Sequence, residues 1–177
     1  MVIAIGDSMT FGYGVRGAAK WTAICGYTNA GINGDTTSGM LARLRTDVLD
    51  RKPDEVIIMG GANDFIMGAD PGSVKANIMG MAQQCLSAGI QVILGSQIPC
   101  IPGKVPQAWA CLSDFREVYR KQKELSEWYT LFAPAFSFQY VNTFQAFEGL
   151  PEEYWLSDGL HPSAEGHKLL AELLGGL

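Results

Sequence analysis

Five short apolar runs, separated by segments with helical patterning, constrain the fold more than any other feature of this sequence. Val2-Ile3-Ala4-Ile5, stopped by Gly6, reads as a first strand, and Tyr27-Thr28-Asn29-Ala30 as a weaker second. Glu55-Val56-Ile57-Ile58-Met59 and Ile90 to Leu94 suit strands buried on both faces. Phe138 to Val141 is the fifth candidate. Between them, Lys20 to Gly26 predicts a short helix. Ser38 to Arg51 sets Met40, Leu41, Leu44, Val48 and Leu49 at spacings of three and four before Pro53. Pro71 to Ala88 reads as a helix closed by Gly89, and Asp114 to Tyr129 as one charged along one side. Ser163 is the expected N-cap of a last helix that runs to Leu174 and stops at Gly175-Gly176. Strand–helix alternation of this kind predicts an α/β fold with a five-stranded parallel sheet and helices on both faces.

Composition narrows the functional classes. The 177 residues show no repeat and no linker, and read as one domain over residues 1–177. With 47% hydrophobic and 18% charged residues the chain is not of the disordered class, and no apolar run approaches the ~20 residues of a membrane span. A net charge of −5 without a basic block argues against nucleic acid or an anionic membrane surface as partner. Met1 leads straight into a strand-like run, so no signal peptide is visible. The cytoplasm is the expected compartment, or the periplasm or exterior if a leader has been removed. The four cysteines are scattered without a C-x-x-C, which argues against a zinc site. Cys100 and Cys111, flanking a Pro-rich stretch, are either a disulfide or two inert thiols.

In open sheets of this kind ligands bind beyond the carboxyl ends of the strands. Ser8, in Gly6-Asp7-Ser8-Met9, follows the first strand; a serine hydroxyl becomes a nucleophile when a base takes its proton. His161 and His167 are the candidate bases. His167 lies among charged neighbours in the last helix and reads as a solvated surface residue. His161 lies in Asp158-Gly159-Leu160-His161-Pro162, where a tight turn can set carboxylate and imidazole on one side. Asp158 would then hold Nδ1–H and leave Nε2 free to accept the Ser8 proton. Gly34, after the second strand, and Asn63, after the third, are candidate donors to an oxyanion, together with the Ser8 N–H. Taken singly, these are also ordinary turn compositions.

Four ordered blocks across nearly the whole chain resemble the SGNH (GDSL) hydrolase family: Gly6-Asp7-Ser8-Met9, Asn29 to Thr37, Gly61-Ala62-Asn63-Asp64 and Asp158 to Pro162. Met9 stands where leucine is commoner. The second block, with Leu41-Ala42-Arg43-Leu44, is most similar to the thioesterase I, lysophospholipase L1 and arylesterase branch. The resemblance implies a three-layer α/β/α sandwich, a Ser-His-Asp triad on Ser8, His161 and Asp158, oxyanion donors at Gly34 and Asn63, and no cofactor or metal. It implies a serine esterase acting on small acyl esters or thioesters, with carbohydrate O-acetylesterase as the alternative; a binding module on the same fold is the non-enzymatic one.

Gly12-Tyr13-Gly14-Val15-Arg16-Gly17 matches the dinucleotide fingerprint G-x-G-x-x-G but starts too far beyond the first strand, and the acidic residue expected near the end of the second strand is missing. Two long segments are candidate pocket walls: Gln97 to Ser113, with Trp109 and Leu112, and Phe144 to Leu156, with Phe144, Phe147, Tyr154 and Trp155. The second is expected either to crowd the site or to form satellite core.

Overall fold

A computed structural model describes residues 1–176. β1 (Val2–Gly6) is followed by α1 (Ser8–Phe11) and α2 (Trp21–Ile24), then by β2 (Thr28–Gly31) and α3 (Thr37–Asp47). β3 (Glu55–Met59) leads to α4 (Ala62–Ile66) and α5 (Pro71–Ser87), and β4 (Gln91–Gly95) to α6 (Gln107–Ala110) and α7 (Phe115–Ala135). β5 (Gln139–Val141), α8 (Thr143–Phe147) and α9 (Ala164–Gly175) follow. The five strands form one parallel sheet in the order β2-β1-β3-β4-β5.

The side-chain alternation of the strands builds the three layers. Ile3, Ile5, Val56, Ile58, Val92 and Leu94 face one side, against Met40 and Leu44 of α3, Val74 and Ile78 of α5, and Leu125 and Tyr129 of α7. Ala4, Ile57, Met59 and Ile93 face the other, with Trp21 of α2, Phe147 of α8, and Leu170 and Leu174 of α9. The strands β1, β3 and β4 are covered on both faces, which is why they read as unbroken apolar runs. The chain leaves β1 for one neighbour, β2, and returns to the other, β3. The carboxyl ends of β1 and β3 therefore flank a crevice at a topological switch point.

Helix starts follow local chemistry. Thr36, Asp70 and Ser163 accept the N–H of Gly39, Ser73 and Gly166, capping α3, α5 and α9. The predicted 38–51 helix is divided: α3 ends at Asp47, and a 3₁₀ turn at Leu49–Arg51 carries the chain to Lys52. α7 runs past Tyr129 to Ala135, because Phe132 and Ala133 continue its buried stripe and Pro134 falls within its last turn. α1, α4, α6 and α8, each of four or five residues, are too short to show a period in the sequence. Among the described residues no helix is long and apolar enough to cross a membrane.

Candidate active site

The segments that carry the polar groups of the site leave the carboxyl ends of β1, β2 and β3 or enter the last helix. Ser8 opens α1 one residue after β1. Asp7 caps that turn, its Oδ1 accepting the Met9 N–H at 3.0 Å, while Gly12 N–H closes it on the Ser8 carbonyl at 3.0 Å. The Ser8 N–H thus lies in a first helical turn, where amide protons lack partners within the helix.

The turn before α9 presents the base candidate. Asp158 Oδ1 accepts the N–H of Leu160 at 2.9 Å and of His161 at 3.0 Å, and its Oδ2 lies 2.7 Å from His161 Nδ1. One carboxylate thereby shapes the turn and orients the ring. Burial raises the Asp158 carboxyl, but the His161 ring and these two amides outweigh it and hold the group below the usual value. His161 Nε2 lies 2.9 Å from Ser8 Oγ, across 153 positions of sequence. Leu156 N–H donates to the His161 carbonyl at 2.8 Å, so the segment before the turn braces it from behind.

Gly34 and Asn63 line the same cavity as Ser8 and His161. Gly34 has φ +75°, and a Cβ there would meet nothing within 4 Å: backbone conformation demands the glycine, and the space beside it is open. Asn63 donates one amide proton to the Asp35 carbonyl at 2.9 Å, which leaves the second for a ligand. Arg43 ties these parts together. Its guanidinium donates to Asp35 Oδ2 at 2.8 Å, to the Ala30 carbonyl at 2.7 Å and to the Gly6 carbonyl at 3.0 Å, linking the ends of β1 and β2 to the Gly34–Asn63 side. In the sequence Arg43 is marked only by its place in the second block of resemblance. Two of its partners are backbone carbonyls, which no sequence pattern displays.

The cavity holds about 290 Å³. Its wall is apolar, built from Ile66, Trp109, Leu112, Phe115, Val118 and Leu160. Of the two candidate segments, 97–113 supplies wall residues. Phe144, Phe147 and Trp155 of the other are buried and serve as core. Tyr13, which the sequence does not mark as a site residue, lies tilted against His161 with ring centroids 4.3 Å apart and 36° between the planes, and Trp109 meets the same ring edge-on at 6.4 Å. All four cysteines are free thiols; Cys100 is buried in the cavity wall and Cys111 is exposed.

His167 overturns an expectation. It is 0% exposed, and its Nδ1 accepts the Trp21 N–H at 3.3 Å. Burial pushes its imidazole down to about 4, with Lys20 and His161 adding to the effect. Glu165 and Lys168 suggested a solvated face, but on the helix His167 is aligned with buried Leu170, Ala171 and Leu174 at i+3, i+4 and i+7.

Asp7 is 1% exposed and its Oδ2 has no hydrogen-bond partner. Burial pushes the carboxyl up to about 7, against the Met9 N–H and His161, while Asp64 and Asp35 reinforce the rise. A carboxyl raised on folding contributes stability that is complete below about pH 4 and gone once the pH has passed about 7. Asp7→Asn keeps an oxygen for the Met9 N–H and removes this titration. The stability of Asp7→Asn relative to wild type is therefore expected to rise by on the order of 4 kcal/mol between pH 4 and pH 8. Urea unfolding across that range checks it; parallel pH profiles for the two proteins would show that Asp7 does not titrate as described.

Comparison with known proteins finds relatives over most of the chain. The model of the GDSL-like lipase/acylhydrolase family matches residues 4–169. The chain is 27% identical over 184 residues to an arylesterase of Vibrio mimicus, covering 98% of this chain and 85% of that protein. It is 34% identical over 110 residues to esterase TesA of Pseudomonas aeruginosa, a match spanning 55% of this chain and 55% of that protein. A GDSL-like lipase structure from Bacteroides thetaiotaomicron superposes with a TM-score of 0.85 at 27% identity, over 99% of this chain and 85% of that one. With a family model that matches most of its length, the chain belongs to the GDSL-like lipase/acylhydrolase family.

Proposed function

We propose that this chain hydrolyses carboxylic esters or thioesters through an acyl–Ser8 intermediate, with residues 1–177 acting as one catalytic domain. One observation carries the reading: a hydrogen-bonded chain Asp158–His161–Ser8 that opens onto an apolar cavity. Ser8 Oγ attacks the acyl carbon as His161 Nε2 takes its proton, and Asp158 holds Nδ1–H against the developing positive charge. The Gly34 and Ser8 N–H groups and the second Asn63 amide proton bind the oxyanion; removal of one such donor typically costs ~10²–10³ in rate. His161 passes its proton to the leaving alcohol or thiol. Water then attacks the acyl–Ser8 carbon, His161 accepts its proton, and Ser8 leaves with it.

The wall chemistry supports short acyl, aryl or lysophospholipid-type esters. The predominantly apolar surface of the cavity, in which Asn33, Asn63 and Gln122 are the side-chain amides, weighs against an acetylated carbohydrate. A fluorophosphonate probe, followed by a panel of p-nitrophenyl acyl esters and acetylated sugars, tests the reading. The expected result is stoichiometric labelling at Ser8 and turnover of the apolar esters above the sugars. An unlabelled folded protein would point to a binding module, and preference for the sugars to a carbohydrate esterase.

A further inference from the structure

The turn Gly12-Tyr13-Gly14 is bound to the nucleophile's own helical turn. Tyr13 N–H and Gly12 N–H both donate to the Ser8 carbonyl at 3.0 Å. Gly12 and Gly14 have φ of +82° and +74°, which other residues adopt poorly, and a Cβ on Gly14 would fall 2.3 Å from Leu156 Cδ1. The glycine spacing that imitates a dinucleotide loop is, in this fold, a device that projects one aromatic ring. That ring meets His161 at 4.3 Å between centroids with 36° between the planes, on the rim of the cavity, while Trp109 approaches from another side. A cation within about 6 Å of an aromatic face is attracted by its quadrupole. During acyl transfer the imidazole becomes that cation.

We propose that Tyr13 is a positioning residue that stabilises the imidazolium form of His161 as the Ser8 proton is transferred. This rests on His161 being the base, as described above. The other ionisable groups acting on this ring are Asp158 in its own turn, Asp7 at the β1–α1 junction and His167 on α9. Substitution at Tyr13 leaves all three in place. The interaction needs a ring and no hydroxyl, so Tyr13→Phe and Tyr13→Leu separate it from other roles.

Steady-state hydrolysis of a p-nitrophenyl ester from pH 4.5 to 9 tests the proposal, with thermal unfolding to show that each variant folds. Tyr13→Leu is expected to lower kcat by about 5- to 30-fold with KM within about twofold. Tyr13→Phe should retain the wild-type kcat and KM, because the ring is kept. A kcat unchanged in Tyr13→Leu, a raised KM at constant kcat, or equal damage from Phe and Leu would overturn the proposal while leaving Ser8 chemistry intact. Hydrolysis that survives both Ser8→Ala and His161→Ala would instead overturn the underlying reading.

Discussion

Ser8→Ala is expected to reduce kcat for p-nitrophenyl acetate by roughly 10⁴–10⁶-fold while leaving the fold unchanged. The loss is large because no other group replaces the hydroxyl as nucleophile. The fold should survive because the Ser8 side chain contributes one hydrogen bond, to His161, whereas the cap of α1 comes from Asp7. The cost in stability is expected to stay below about 1 kcal/mol, as for loss of a single partly buried hydrogen bond. Residual turnover above the buffer rate would come from the donors at Gly34 and Asn63. A fully active Ser8→Ala protein would remove Ser8 from the chemistry, and a simultaneous collapse of the melting temperature would make its role structural.

Asp158→Asn carries the second large effect, a fall in kcat of about 10⁴-fold. The carboxylate accepts from three N–H groups at once, two of them backbone amides that shape the turn. An asparagine oxygen satisfies the amides, but its NH₂ then faces Nδ1, which must accept. The proton is forced onto Nε2, where it cannot receive another from Ser8. The measurement that isolates this is kcat beside KM: the variant should bind substrate nearly as well and turn it over slowly. A kcat within tenfold of wild type would mean that Asp158 only forms the turn. Because its carboxyl is held below the usual value, Asp158 also contributes stability present above about pH 4 and lost as the pH falls through its lowered folded value.

Much of the architecture was legible because it depends on near neighbours. The runs at 2–5 and 55–59 are strands, since side chains alternating between two covered faces leave a continuous apolar signature. Ser163 caps α9 as expected, because a cap is a matter of three residues. His167 shows the failure of reading by adjacency: its neighbours in sequence are charged, but its neighbours on the helix are apolar and buried. Tyr13 carries no local signal of its role: Gly12 and Gly14 imitate a dinucleotide loop, and only the fold brings the ring between them to His161. The apolar residues of 144–156 and 97–113 look alike as sequence, and only packing makes Phe147 and Trp155 core and sets Trp109 and Leu112 in the cavity wall.

The order of residue types alone determined the α/β class, the strands and the set of polar side chains gathered beyond their ends, because those follow from periodicities of two and 3.6 and from turn chemistry within a few positions. Tertiary structure alone decided that Ser8 and His161 lie 2.9 Å apart, that Arg43 braces the ends of two strands, and that Tyr13 covers the imidazole. Those contacts join segments with no local relation to each other. Their geometry depends on how the whole sheet and its covering helices pack, a property of every buried side chain together.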